Sequence, residues 1–358
     1  MSQKPSSASA ENTFQGASIL VVGGAGFVGS NLVLKLLEKK PARITIVDNL
    51  LSSDITNVVA DPAVSFRFGS ITDDRILQAL PDDLDYVFHL SCYHGNQSSI
   101  ADPMADHENN TLTTLKLFER LKGSKTLKKV VYAAAGCAVA EKTFDDPTAT
   151  TEDAPVSLYH DSPYSISKLV GELYGNFYWK NHGLPFVKAR FQNVYGPREM
   201  LGAGRWRGTP HTVWRNVTPT FIWKALDHEA LPLDNGGNAS RDFIFVEDMA
   251  RGLMAVALRG EPGGVYNLAS GVETTIRTLA ETINELTENP TPADLRPARD
   301  WDRSGKRFGS TEKSERELGF RAEVPLRDGL TATIAWTRAN RDQIRRCMAQ
   351  HAYFMERL

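Results

Sequence analysis

Three shortages narrow the problem before any motif is read. Cysteine is scarce: Cys92, Cys137 and Cys347 stand far apart and are odd in number. Neither a disulfide framework nor a zinc site has the spacing it needs, so no metal is expected and a reducing cytoplasm fits. Long apolar runs are missing. None reaches the roughly 18 residues of a membrane span, and the Ser- and Ala-rich start lacks the apolar core of a signal peptide. Residues 1–16 are expected to form a flexible tail. An excess of one charge is missing too. The chain has 41 basic side chains against 43 acidic ones, a net charge of −2. Bulk electrostatics therefore gives no reason to expect nucleic acid or a membrane as partner. An anionic ligand must be met by donors placed locally.

What is present is rhythm. Short β-branched runs at 18–22, 43–47, 64–68, 85–90, 129–134 and 185–190 alternate with helical patterns. Those helices are expected over Gly29 to Lys40, roughly 104–122 and roughly 163–182. Strands alternating with helices imply βαβ units and an α/β, doubly wound parallel sheet of the Rossmann type. The rhythm breaks after about residue 192. Residues 198–217, rich in Gly, Arg and Trp, read as a long functional loop, and a closing helix is expected near 326–345.

Val21-Val22-Gly23-Gly24-Ala25-Gly26-Phe27-Val28-Gly29 joins the first strand to the first helix. It holds G-x-G-x-x-G at Gly24, Gly26 and Gly29, and equally G-x-x-G-x-x-G at Gly23, Gly26 and Gly29. Glycine permits the tight turn and lets the backbone approach a pyrophosphate, while the helix start offers N–H groups and partial positive charge. Asp48 ends the next strand 19 residues after Gly29, where a carboxylate accepts hydrogen bonds from a ribose diol. A carboxylate there repels a 2′-phosphate, and Asn49 and Leu50 follow it rather than Arg. The expected cofactor is NAD.

Ser162-Pro163-Tyr164-Ser165-Ile166-Ser167-Lys168 sets Tyr164 and Lys168 four apart, on one helix face. A phenol is a poor base at its free pKa of about 10. A neighbouring ammonium and a positively charged nicotinamide favour the phenolate, which can take a proton from a sugar hydroxyl as hydride leaves the same carbon.

With these motifs the chain resembles an extended short-chain dehydrogenase/reductase of the NAD-dependent epimerase/dehydratase family, over nearly all its length after residue 16. His89-Leu90-Ser91 resembles the family's His-Leu-Ala, and Asn110 and Thr114 sit on its Asn-x-x-Gly-Thr helix. Arg190 to Arg198 resembles Arg-Phe-x-Asn-Val-Tyr-Gly-Pro-Arg, and Gly237 to Phe243 resembles Gly-x-x-x-Arg-Asp-Phe. Val265 to Leu268 and Leu318 to Phe320 match the closing landmarks. The resemblance implies that Asn49, Ser70, Ile71, Leu90 and Ser91 join the glycine turn and Asp48 around NAD, with Lys168 on the nicotinamide ribose. It implies a UDP-sugar substrate met by Asn193, Asn216, Arg241 and Arg299, with His94 as a further sugar contact. It also implies a homodimer through the helices near 104–122 and 163–182. The expected division is 17–192 with about 243–270 for NAD, and 193–242 with about 271–345 for the nucleotide sugar.

The sequence departs from the family in two places. Ala135 stands where a Ser or Thr usually bonds the reacting hydroxyl; Cys137, a backbone amide or a water are the replacements open, and Cys137 reads equally as a small buried hydrophobe. Ser70 stands where an Asp often meets the adenine. Gly136 and Cys137 also lack the Asp-Glu pair of the 4,6-dehydratases and the Glu of the decarboxylases. C4 epimerisation through a 4-keto sugar is therefore the expected reaction. Another reaction of the family, or a catalytically silent binding protein, are the rivals. In the 198–217 insert, an arginine is expected to meet a carboxylate at C6, as in a UDP-uronic acid.

Overall fold

The computed structural model describes residues 13–139, 143, 145–298 and 305–357. The first six strands are β1 (Ser18–Val22), β2 (Arg43–Asp48), β3 (Val64–Phe68), β4 (Tyr86–His89), β5 (Lys129–Ala135) and β6 (Phe186–Phe191). After them come β7 (Asn193–Tyr195), β8 (Pro232–Asp234), β9 (Ser240–Phe245), β10 (Val265–Leu268), β11 (Glu273–Thr275) and β12 (Asp294–Arg296). A seven-stranded sheet has the order β10-β6-β5-β4-β1-β2-β3, and every pair in it is parallel. β1 and β5 are buried along their whole length, as strands covered by helices on both faces must be. The order reverses between β1 and β4, so the crevice at their carboxyl ends is where such a sheet takes a ligand.

The expected strands and the helix Pro163–His182 lie where the periodicity puts them. The helix expected near 104–122 runs continuously as Pro103–Asp106, a widened π-type stretch at His107–Leu112, and Thr113–Leu121. The wide turn lets the buried Asn110 bond sideways: Oδ1 accepts from Tyr93 N at 2.7 Å, and Nδ2 donates to Asp106 Oδ1 at 2.7 Å and Ser167 Oγ at 3.2 Å. The closing helix is two, Leu326–Ala339 and Arg341–Ala349, divided at Asn340.

The expected tail is corrected at its end. Residues 1–12 lie outside the described residues, but Phe14 is buried against Tyr86 and Phe88, with ring centroids 4.9 and 6.3 Å away. An isolated aromatic in a polar stretch has no periodicity to announce it; tertiary partners decide its burial. Among the described residues, no helix is long and apolar enough to cross a membrane.

The main sheet is flanked by two apolar clusters, and a third lies under β7, β9 and the helices Val217–Leu226 and Ile276–Thr287. One buried ion pair crosses from the Pro163–His182 helix to β6. Arg190 Nε and NH2 donate to the two oxygens of Glu172, each at 2.9 Å, and NH1 donates to Glu152 O at 2.7 Å. Arg190 opens the family-like motif, yet it is a structural clamp with no part in the cavity.

Candidate active site

The glycine turn owes its shape to close backbone approach. Gly23 has φ +86°, and a Cβ there would stand 2.6 Å from Ser91 N, on the segment leaving β4. A Cβ at Gly29 would stand 2.2 Å from Gly23 O. The helix Phe27–Leu37 starts at Gly26 with no side-chain cap and no acidic residue in its first turn. Its first N–H groups are therefore left for an anion. Asp48 Oδ2 accepts from Ala25 N at 3.0 Å, and Oδ1 accepts from Leu50 N at 2.8 Å and Ser53 Oγ at 3.0 Å. Burial pushes this carboxyl above its ordinary value while those bonds hold it down. Asn49 Oδ1 braces the following turn by accepting from Leu51 N at 3.0 Å. Ser70 Oγ accepts from Thr72 N at 3.2 Å, so a turn replaces the carboxylate expected there. A glycine floor that a Cβ would fill, uncapped N–H groups and an acid at the tip of β2 fit a dinucleotide.

The turn opens into one cavity of about 1010 Å³, lined also by Leu90, Ser91, Tyr164, Lys168, Ala135 and Cys137. Tyr164 sits in the first turn of Pro163–His182, whose amino end is fixed by Ser162 Oγ accepting from Ser165 N at 3.4 Å. Tyr164 N donates to Ser99 Oγ at 3.1 Å, anchoring the helix start to the neighbouring segment. Lys168 Nζ donates to Ala133 O at 2.9 Å and lies 5.9 Å from the centre of the Tyr164 ring. Burial pushes the Tyr164 phenol well above its ordinary value; a cation beside it acts in the opposite sense. His94 meets the Tyr164 ring edge-on at 5.8 Å, and burial, with Arg207 beside it, drops its pKa to about 3, so it stays neutral. His89 is also neutral. Thr114 Oγ1 gives its proton to Asn110 O at 2.6 Å, so the His89 ring presents Nε2–H to it at 2.9 Å. Ala135 is buried and brings no hydroxyl. Cys137 is half-buried in the short turn Gly136–Ala138 and faces the same cavity.

At the far end the cavity is lined by Asn193, Asn216 and Arg241. Arg241 NH1 donates to Ser240 O and Gly305 O, both at 2.6 Å, which fixes the side chain along the wall. Arg299 lies outside the described residues. Asn216 stands at the start of the helix Val217–Leu226 without capping it through its side chain, which donates Nδ2–H to Glu199 Oε1 instead. The sequence reading missed Glu199, Gln192 and Cys92, all of which line the cavity. Nothing in their spacing marks them, because burial and neighbours give them their place.

The arginines of the 198–217 insert staple it to the neighbouring segments. Arg198 NH2 donates to Asn57 O at 2.5 Å, Arg207 NH1 to His94 O at 2.8 Å, and Arg215 NH1 to Ser52 O at 2.5 Å. Arg215 also donates to Thr212 O and Ala203 O, while Arg205 is exposed. A guanidinium stapling carbonyls replaces the hydrogen bonds an aperiodic loop cannot make within itself. Arg198, Arg207 and Arg215 thus hold the loop, and Arg198 and Arg215 also line the cavity. Met200, Leu201 and Ala203 then pack on Trp223, Ile344 and Cys347.

Burial pushes Glu199 up to about 7, with Asn216 and Arg215 acting against it. Its folded pKa thus exceeds the ordinary 4.5. The resulting stability is full below 4.5 and is lost as pH rises through about 7. Glu199→Gln, which keeps the acceptor for Asn216, is expected to melt progressively higher than wild type as pH rises through this window. The gain at high pH is at most about 3 kcal/mol. Parallel melting curves for the two proteins across the window would remove the carboxyl from the pH dependence.

A model of the NAD dependent epimerase/dehydratase family matches residues 19–269. The chain is similar to the Bordetella bronchiseptica enzyme WbmF, solved in complex with NAD+ and UDP. Identity is 59% and the TM-score 0.87, covering 96% of this chain and 99% of that one. It is also similar to a UDP-glucose 4-epimerase of Thermotoga maritima solved with UDP-glucose, at 28% identity and a TM-score of 0.81, covering 90% of this chain and 99% of that one. A putative UDP-glucose 4-epimerase of Methanocaldococcus jannaschii is 29% identical over 326 residues, 90% of this chain and 99% of its own length.

Proposed function

Because the chain belongs to the NAD dependent epimerase/dehydratase family, we propose that it epimerises a UDP-sugar at C4 through a 4-keto intermediate. One observation carries this reading. Tyr164 and Lys168 share a cavity with the dinucleotide turn, and the two residues directly after Ala135, Gly136 and Cys137, carry no carboxylate for dehydration or decarboxylation. A side chain at 136 would displace the Gln192 amide, since a Cβ there would stand 2.5 Å from Gln192 Nε2. NAD, when bound, supplies a reversible acceptor for the hydride leaving C4. The residues do the rest. Tyr164 takes the proton of the C4 hydroxyl and returns it after the ketose has turned over. Lys168 holds the local potential positive, and one of its N–H bonds, to Ala133 O, fixes its height above β5. Asn193, Asn216 and Arg241 take the nucleotide diphosphate, for which charge-assisted Arg bonds are suited; Arg299 belongs to the same reading. In it, residues 17–192 with about 243–270 carry NAD, and 193–242 with about 271–345 carry the sugar nucleotide.

Product analysis by NMR after mixing the protein with UDP-glucose, UDP-N-acetylglucosamine or their uronates tests the proposal. A C4 epimer is expected. Loss of water or CO2, or an unchanged sugar with all four, would overturn it.

The same reading includes a homodimer. Ile166, Leu173 and Phe177 are 48, 58 and 50% exposed along one face of Pro163–His182, a spacing that makes a continuous apolar stripe. Light scattering at micromolar concentration is expected to give twice the 39.6 kDa chain mass, and Phe177→Glu to reduce it to one. A monomeric mass for the wild type would remove the dimer.

A further inference from the structure

Gln192 follows β6 directly, and β6 pairs Phe191 with Ala135 on β5. Its amide lies in a slot with a glycine on either side. A Cβ at Gly136 would stand 2.5 Å from Nε2, and one at Gly309 would stand 2.8 Å from the same atom. Either side chain would push the amide out, so both glycines are needed for it to lie where it does. The residue lines the cavity together with Ala135 and Tyr164. Its main-chain N–H is spent on Leu268 O at 3.4 Å. Its amide is not spent: among the described residues it has no hydrogen-bond partner. A polar group at a cavity wall without a protein partner keeps its donors and acceptor for whatever enters.

We propose that Gln192 supplies the neutral donor that Ala135 cannot. Its Nε2–H hydrogen-bonds the C4 oxygen of the sugar while Tyr164 removes the proton from that oxygen. Negative charge develops on the oxygen as Tyr164 takes its proton, before the departing hydride leaves a neutral ketone, and a donor beside it stabilises that charge. The amide sits beside Gly136, the residue following the missing hydroxyl, so it reaches from the neighbouring strand into the same corner. Cys137 faces that corner with a thiol, a weaker donor. This inference rests on the epimerase reading above.

The test uses the full-length protein and whichever of the four UDP-sugars the wild type epimerises. Gln192→Ala is expected to lower kcat about 10²-fold with KM little changed. The isotope effect from deuterium at C4 should rise as bond cleavage becomes rate-limiting, which a merely structural defect would not produce. Gly136→Ala, whose Cβ takes the amide's place, should give a similar loss, and the double variant should be no worse than either single one. Adding Ala135→Ser to Gln192→Ala should restore part of kcat by returning a hydroxyl donor. A Gln192→Ala enzyme within threefold of wild type, or a loss confined to KM, would overturn the proposal while leaving the epimerase reading intact. Failure of the wild type to epimerise any of the four sugars would instead remove that reading.

Discussion

Tyr164→Phe is expected to lower kcat by about 10²–10⁴-fold, the usual range for a lost general base, while NAD stays bound. The ring is held by burial and by its edge contact with His94, both of which phenylalanine keeps. The helix start is held through main-chain bonds, Tyr164 N to Ser99 Oγ among them, so the fold should survive. What disappears is the one oxygen of residue 164 that can take a proton. Turnover of the UDP-sugar and bound NAD, the latter by absorbance after denaturation, are measured on the same sample. A variant that keeps wild-type turnover would take the phenol out of the mechanism; one that loses NAD as well would show that the ring is structural first.

Gly29→Ala should act at the other end of the cavity. The added Cβ would meet Gly23 O at 2.2 Å and Gly24 Cα at 2.8 Å. Both are main chain of the turn itself, so no side chain can swing aside. The turn and the first helical turn must part. Overpacking of this kind costs about 1–3 kcal/mol, which corresponds to roughly tenfold to a hundredfold in NAD affinity if the parted turn is the phosphate cradle. Titration calorimetry with NAD checks it, with circular dichroism as the control for folding. Unchanged affinity in a folded variant would mean that the pyrophosphate does not lie over this turn.

Much of this fold is legible in sequence because parallel strands buried on both faces must be apolar throughout. β1 and β5 are such runs, and the glycine turn after β1 has the residues that a close approach demands. The Tyr164–Lys168 pair is legible because helical spacing alone puts both on one face. What sequence hides is set by tertiary contact. Phe14 looks like part of a polar tail until Tyr86 and Phe88 bury it. The helix near 104–122 is continuous as expected, but its widened middle, where Asn110 bonds Tyr93 and Ser167, has no mark in the sequence. The 198–217 insert has no period because arginine-to-carbonyl bonds, which follow no period, hold its shape. Gln192 and Glu199 are ordinary polar residues in sequence. Two glycines more than a hundred residues apart make the slot for one, and burial beside Asn216 sets the proton affinity of the other.

The clamp between Arg190 and Glu172 has a consequence for how such a protein can change over generations. Removing either partner strands a charge in the interior, at about 3–5 kcal/mol, so the helix bearing the phenol and the strand leading to Gln192 are bolted into one frame. The segment 198–217 hangs outside that frame on carbonyl staples. New sugar preferences can therefore arise by redrawing that loop, while the apparatus that moves the proton is inherited unaltered.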